Sequence, residues 1–393
     1  MKILLSNKFY YRRAGAEVYM INLEEILKTK GHDVAVFSMQ HPQGLPSPYA
    51  KYFPKTVEYG QLDAKQVTLY VTRPFGTREV KRKFNALLDE FQPDVVHFNN
   101  MHTQISPVVV QIAKQRKMKT VWTIHDTKTL CPAFCCFRDH QTCELCFTDK
   151  RNVLKYRCMK GSLPASIIAY LEAKKWSREK LEKYTDVFLC PSQFMANKLI
   201  QGGFNPEKMV TLCNFIDIEK TKRENYNDKE DYFCYIGQLE VEKGVKTLID
   251  AAKQLPYPLK LAGRGSMTDE IQSLENKNIE YLGFQQWDNI KEIVGKARFL
   301  VCPSVAYENN PLTVIEAQCL GTPALGAICG GIPELINTGK TGLTFEPGNV
   351  ADLKEKIEQM YAIDFDFAQI AQESQIRYSA EYYYQELLKI YQS

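Results

Sequence analysis

Short apolar runs alternate with longer stretches of helical period from the start of the chain. Residues 2–5 make a brief apolar run, 7–15 a polar turn, 17–30 an apolar stripe at helical spacing and 33–38 a second apolar run. That order reads strand, turn, helix, strand. Further apolar runs at 94–98, 120–125 and 186–190 end in polar residues and are separated by helical stretches, which predicts a doubly wound sheet. A second series begins at 232–236 and continues at 259–262, 279–281, 299–302, 323–327 and 341–345, interleaved with helices such as 245–255. The pattern predicts an α/β chain of two Rossmann-like halves.

Between the halves, residues 216–231 turn polar and densely charged, from Lys220, Lys222 and Arg223 to Glu230 and Asp231, as an exposed connection does. The expected domains are 1–212, with a cysteine-rich insertion at about 131–160, then 213–377, and a C-terminal helix at 378–393. A length of 393 residues exceeds one ordinary core, so two domains agree with size as well as pattern.

With 45% hydrophobic and 24% charged residues the composition is that of a globular protein, and a net charge of +4 is too mild to call for a nucleic-acid partner. No run approaches the roughly 18 apolar residues of a membrane span, and the first run turns polar at Ser6, too soon for a secretory leader. A cytoplasmic protein is expected. Of twelve cysteines, Cys190, Cys213, Cys234, Cys302, Cys319 and Cys329 fall mostly in strand-like apolar runs and read as small core residues. The other six crowd together, and Cys143-Glu144-Leu145-Cys146 has the CxxC spacing of a zinc knuckle. Cys131, Cys143, Cys146 and Cys158 could hold a structural zinc, with Cys135, Cys136 or His140 as substitutes; free thiols or disulfides are the other readings.

Candidate chemistry gathers where the expected strands end. Glu308 and Glu316 stand eight positions apart, and a helix start at Pro311 would put Glu308 just ahead of the first turn and Glu316 on the helix. Asn309, Asn310 and Leu312 would present backbone N–H groups to a ligand there. The loop Gly237-Gln238-Leu239-Glu240-Val241-Glu242-Lys243-Gly244 follows a strand and precedes a helix, where N–H groups and a lysine can hold a diphosphate. Arg264, between Gly263 and Gly265, is a second candidate cation. His125 closes a strand of the first half, and Gly15 lies in the turn before the first helix.

These motifs resemble the retaining glycosyltransferases of family 4, whose donor site carries a Glu, seven residues and a second Glu, matched by Glu308 and Glu316. The resemblance covers nearly the whole chain. It implies the GT-B arrangement, two Rossmann-like domains facing across a cleft, and transfer of a sugar from a nucleoside diphosphate to a hydroxyl of a glycan or lipid-linked acceptor. No cofactor is required for that catalysis. It assigns Glu316 to the ribose hydroxyls, Glu308 and His125 to the transferred sugar, and Lys243 with Gly237 to the diphosphate. Gly15 belongs to the family's glycine-rich turn, with Ala14 where the first glycine usually stands, and Gly330-Gly331 with Glu334 matches an element that shapes the donor pocket. Gln238 departs from the family's arginine, which removes one expected phosphate cation. That departure motivates a second reading, a catalytically weak nucleotide-binding partner subunit; a nucleotide-sugar epimerase of the same fold is a third.

Lys150, Arg151, Lys155, Arg157 and Lys160 lead into a helical stretch at 163–184 with Leu163, Ile167, Tyr170, Leu171 and Trp176 among basic residues. The stretch is expected either to rest on an anionic membrane, at the inner face, or to pack conventionally with a solvated basic face.

Overall fold

The computed structural model describes residues 1–57 and 64–393. Their backbone falls into two compact units. The first contains β1 (Lys2–Ser6), β2 (Asp33–Phe37), β3 (Val95–Phe98) and β4 (Lys119–Thr123). A short hairpin, β5 (Phe137–Arg138) with β6 (Gln141–Thr142), interrupts the chain before β7 (Val187–Cys190) and β8 (Met209–Thr211) complete the first sheet. All its strands are parallel, in the order β2-β1-β3-β4-β7-β8. The second sheet is built from β9 (Phe233–Ile236), β10 (Leu259–Ala262), β11 (Ile279–Tyr281), β12 (Leu300–Cys302), β13 (Ala324–Ala327) and β14 (Gly342–Phe345). It too is parallel, in the order β11-β10-β9-β12-β13-β14.

Parallel sheets covered by helices on both faces bury their central strands, which is why β1, β3, β7, β9 and β12 read as mostly apolar runs, while the edge strands β8, β11 and β14 are only partly buried. Leu4, Phe37, Phe98, Trp122 and Phe188 are buried in the first core with Phe84 and Leu87 of the helix Arg78–Phe91. In the second, Phe233, Leu261, Leu300 and Leu325 are sealed by Leu248 and Ile249 from the helix Val245–Ala252 and Ile315 from Leu312–Cys319. Each such side chain contributes about 1.5–3 kcal/mol. The order of each sheet reverses once, between β1 and β3 and between β9 and β12, and in open parallel sheets ligands bind beyond the carboxyl ends of the strands at that reversal.

The first unit comprises Met1–Cys136, Glu144–Leu212 and Tyr384–Ser393, and the second Phe137–Cys143 with Cys213–Tyr383. Two corrections follow. The insertion at 131–160 does not belong wholly to the first half, because its hairpin groups with the second unit. The C-terminal helix runs Ala380–Gln392, and the chain passes to the first unit at Tyr384 rather than 378; Tyr378 is still buried in the second core. Smaller differences are local. β4 ends at Thr123, so His125 stands in the following loop. β8, three residues long, is too short to announce itself by alternation. The stretch at 163–184 is two helices, Leu163–Lys175 and Arg178–Tyr184, because Ser177 takes an extended conformation at ψ 159°. Among the described residues no helix is long and apolar enough to cross a membrane.

Candidate functional site

At the reversal point of the second sheet, the loop leaving β9 is knitted to the end of β10 and its loop, and to the loop leaving β12. Gly237 N–H donates to Ala262 O at 3.1 Å, and Leu239 N–H to Arg264 O at 3.1 Å. Glu242 O accepts from the N–H groups of Val305 and Ala306, at 3.0 and 3.1 Å, and from Ser304 Oγ at 3.1 Å. The short turn Val241–Lys243 then ends at Gly244, whose φ of +70° only glycine adopts freely and whose Cβ, if present, would lie 1.8 Å from Pro303 O. This close approach brings Lys243 Nζ to 2.6 Å from Glu308 Oε1.

The pair is open enough to meet a ligand, with side-chain exposures of 31% for Lys243 and 20% for Glu308. Burial pulls the ammonium pKa down, but the charge and hydrogen bond of Glu308 raise it further, so the net shift is upward and Lys243 stays cationic. Glu308 is held from behind. Gly331 N–H donates to Glu308 O at 2.7 Å, and a Cβ on Gly330, at φ +66°, would sit 2.0 Å from that same oxygen.

The helix Leu312–Cys319 follows, with Pro311 as its N-cap at ψ 116° rather than its first helical residue. Its first N–H groups, beginning with Leu312, have no acceptor within the helix. Asn310 serves a structural purpose: its Oδ1 accepts from Asn214 N–H at 3.1 Å and its Nδ2 approaches Cys213 Sγ at 3.2 Å. Asn309 stands beside it, half-buried. On the helix, Glu316 is desolvated without a counter-charge, which pushes its carboxyl up to about 8. No side chain among the described residues hydrogen-bonds to it.

A folded pKa near 8 against an ordinary 4.5 means that the native chain keeps a proton the unfolded chain has lost. Its contribution is complete below the unfolded value and disappears as pH rises through 8. Glu316→Gln should therefore gain stability over the wild type as pH is raised from about 5 to about 8.5, by on the order of 2 kcal/mol once partial exposure is allowed for. Parallel denaturant melts across that range check it; a constant difference between the two proteins would contradict an unpaired buried carboxylate.

Gln238 is exposed, and its carbonyl accepts from Tyr235 Oη at 2.6 Å. Arg264 is also exposed, with its guanidinium 4.8 Å above the centre of the Phe284 ring. Gln238 stands on the loop that carries Gly237 and Lys243, and Arg264 on the loop leaving β10, whose backbone bonds to it. Sequence reasoning missed the steric role of Gly330 under Glu308 and the anchoring of Asn310; the double glycine was the available signal for the first, and nothing local signalled the second.

The first unit has its own polar constellation beyond β1, β3 and β4. His125 Nε2 lies 2.9 Å from Asn99 Oδ1, and its ring meets Tyr19 edge-on at 4.9 Å. Behind it, His97 bridges Tyr391 Oη and Thr123 Oγ1 at 2.6 Å each. Burial, then the nearby Lys8 charge, lowers His125 to about 3, so the imidazole is neutral at physiological pH. Gly15 is the first residue of the helix Gly15–Thr29, one position inside the turn expected for it, after Ala14 as an N-cap without a side-chain hydrogen bond.

The expected zinc clip is not gathered. Cys143 lies in the segment that groups with the second unit, whereas Cys131, Cys146 and Cys158 lie in the first. The Cys131 thiol hydrogen-bonds to Cys136 and Cys146 instead, and all twelve cysteines are unpaired by disulfide. Among the described residues no three His, Cys, Asp or Glu side chains are grouped to hold a metal.

Two family models match the chain, Glycosyltransferase Family 4 over residues 13–220 and Glycosyl transferases group 1 over 217–378. An uncharacterized glycosyltransferase of Methanocaldococcus jannaschii is 30% identical over 45% of this chain and half of its own length. A Klebsiella pneumoniae protein described as an uncharacterized 42.6 kDa protein in a cps region is 27% identical over 85% of this chain and 87% of its own. Among solved structures, Anabaena HepE in complex with UDP and glucose superposes with a TM-score of 0.66 at 18% identity, covering 100% of both chains.

Proposed function

The chain belongs to glycosyltransferase family 4, and from that membership we propose that it transfers a sugar, with retention, from a nucleoside diphosphate to a hydroxyl of a glycan or lipid-linked acceptor in surface polysaccharide or glycolipid assembly. The observation that carries this reading is the Lys243–Glu308 pair at 2.6 Å on the reversal point of the second sheet, with the unpartnered Glu316 on the next helix. The similar fold that holds UDP and glucose supports a nucleotide-sugar donor, and the relative from a cps region supports a polysaccharide product.

In this reading the diphosphate lies along Gly237 to Gly244, with Lys243 on its charge and Gln238 and Arg264 at its edge. Leu312 and Asn309 line the same end. Glu316 binds the ribose hydroxyls; donation from them favours the ionised carboxylate, so nucleotide binding expels the proton held in the free protein. When the anomeric C–O bond breaks, the electron pair leaves with phosphate and positive charge develops on the sugar ring. Lys243 neutralises the first and Glu308 the second. The acceptor oxygen bonds to the anomeric carbon on the face that phosphate is leaving, and its proton passes to the departing phosphate oxygen. His125, neutral, accepts or donates a hydrogen bond to a sugar hydroxyl without adding charge, and Gly15 lets backbone approach the ligands of the first unit.

The experiment is nucleoside diphosphate release from a panel of sugar nucleotides, with and without a mixed glycan and lipid-linked acceptor pool. Release that depends on acceptor, with the anomeric configuration kept in the product, supports the proposal. Tight nucleotide binding without turnover in any pool would favour a partner subunit.

A further inference from the structure

Three thiols meet in the loop that follows His125. The Cys131 thiol hydrogen-bonds to those of Cys136 and Cys146, and all three residues are buried in the first unit. The chain bends sharply to bring them together. Phe134 N–H donates to Cys131 O at 2.8 Å, and Phe134 and Cys136 both take left-handed backbone, at φ 61° and 47°, a region that favours glycine. Such a conformation persists only where the surroundings impose it. Here it carries Cys136 back beside Cys131, while Cys146 arrives from the short helix Leu145–Thr148. The rest of the loop is tied down. Cys131 N–H donates to Thr127 O at 2.7 Å, Thr127 Oγ1 to Phe134 O at 2.9 Å and Lys128 Nζ to Pro132 O at 2.6 Å.

The surroundings of Cys131 suit a nucleophile better than a core residue. Its sulfur accepts from the backbone N–H groups of Cys136 and Ala133, and the half-buried ammonium of Lys150, which donates to Leu130 O, acts on all three sulfurs. N–H donors and a nearby cation favour thiolate over thiol. Cys190 and Cys234 lie among apolar residues instead, where burial pushes their thiols up to about 12 and keeps them inert. Two thiols within hydrogen-bond reach of a third are the partners a disulfide requires, since a small side-chain rotation closes such a contact to the S–S length of about 2.05 Å. We propose that Cys131, Cys136 and Cys146 form a reversible oxidation site, with Cys131 as the sulfur that reacts with a hydroperoxide. With hydrogen peroxide, the Cys131 sulfur bonds to one oxygen, the O–O bond breaks, and the departing hydroxide takes a proton to become water. The sulfur of Cys136 or Cys146 then attacks the Cys131 sulfenic acid; the S–O bond breaks and hydroxide leaves with the attacking thiol's proton as a second water. The peroxide is reduced by two electrons and the thiol pair oxidised by two. A small thiol reductant reverses the bridge by exchange and becomes a disulfide itself. The bridge ties down the loop that begins at His125. The proposal does not depend on the donor-site reading.

The test takes the full chain, reduced with dithiothreitol and then freed of it, through hydrogen peroxide followed by iodoacetamide, and reads disulfide-linked peptides by mass spectrometry without reduction. The expected result is Cys131 bridged to Cys136 or to Cys146, with the bridge lost again in dithiothreitol. Cys131→Ser should abolish bridging. Cys136→Ser and Cys146→Ser should each keep the bridge to the remaining neighbour, and Cys135→Ser, which alters an exposed thiol, should change nothing. Wild-type protein that forms no bridge while Cys135 is oxidised would overturn the proposal without recourse to any variant. So would a Cys136–Cys146 bridge that forms in Cys131→Ser as fast as the bridge forms in the wild type. A stoichiometric zinc ion that copurifies with the chain and shields the three thiols from iodoacetamide until a chelator is added would also overturn it, since the cluster would then be a metal site.

Discussion

Lys243→Ala should lower kcat about 10²–10³-fold with a smaller change in KM, because the ammonium acts on charge that appears as the donor bond breaks. Lys243 is the cation the second unit holds at this position: Gln238 is neutral where the family has arginine, and Arg264 is exposed over Phe284. Removing it also leaves Glu308 without the partner 2.6 Å away. The two side chains form one unit, so Glu308→Gln combined with Lys243→Ala should cost much less than the product of the single losses. Lys243→Arg keeps the charge and should recover part of the rate. Steady-state release of nucleoside diphosphate by the four variants decides it. A Lys243→Ala protein with undiminished kcat would remove the lysine from the chemistry.

The second large effect is expected at a residue that touches no ligand. Gly330→Ala adds a methyl group that would lie 2.0 Å from Glu308 O at a φ of +66°. Backbone cannot yield to such a contact cheaply, so the segment carrying Glu308 must move and the pair with Lys243 must open. A displacement of about 1 Å at a reacting group costs about 10²-fold in rate, and the strain should cost about 2 kcal/mol or more of stability. Gly339→Ala supplies the control: its φ is +79° but nothing lies within 4 Å of its Cβ, so it carries the left-handed cost without the collision. The loss of kcat/KM should follow Gly330 alone. Equal activity in both variants would show that the position of Glu308 is not set by this contact.

The architecture was readable because central parallel strands, buried on both faces, are largely apolar and stand out against their polar ends, whereas the short edge strand β8 did not. Strand order and the two reversal points are a matter of long-range pairing, and no local pattern carries them. The site divides in the same way. Lys243 and Glu308 are visible as types in loops beside strands, but their 2.6 Å contact depends on Gly244 meeting Pro303 and on Glu242 O gathering three donors, all between segments some sixty positions apart. Asn310 looked like part of a ligand-facing run and is instead bonded to Asn214 across 96 positions. The network beneath His125 ends at Tyr391, from the far end of the chain. Cys143 and Cys146 have ideal spacing, yet the division between the two units falls between them, which spacing cannot foretell. Helical periodicity found the stretch at 163–184 without revealing which side faced out, because that was decided by the burial of Glu172 with Lys128.

The central claim is that the second unit holds a nucleoside diphosphate sugar through Lys243 and Glu316. Thermal denaturation of the wild type, Lys243→Ala and Glu316→Ala across UDP, GDP, ADP and their sugar conjugates tests it most directly. A ligand at about 100 times its Kd stabilises by about 2.7 kcal/mol, so one nucleotide series should raise Tm clearly in the wild type and do so far less in both variants. A wild-type protein that shifts with no nucleotide, or variants that shift as fully as the wild type, would contradict it.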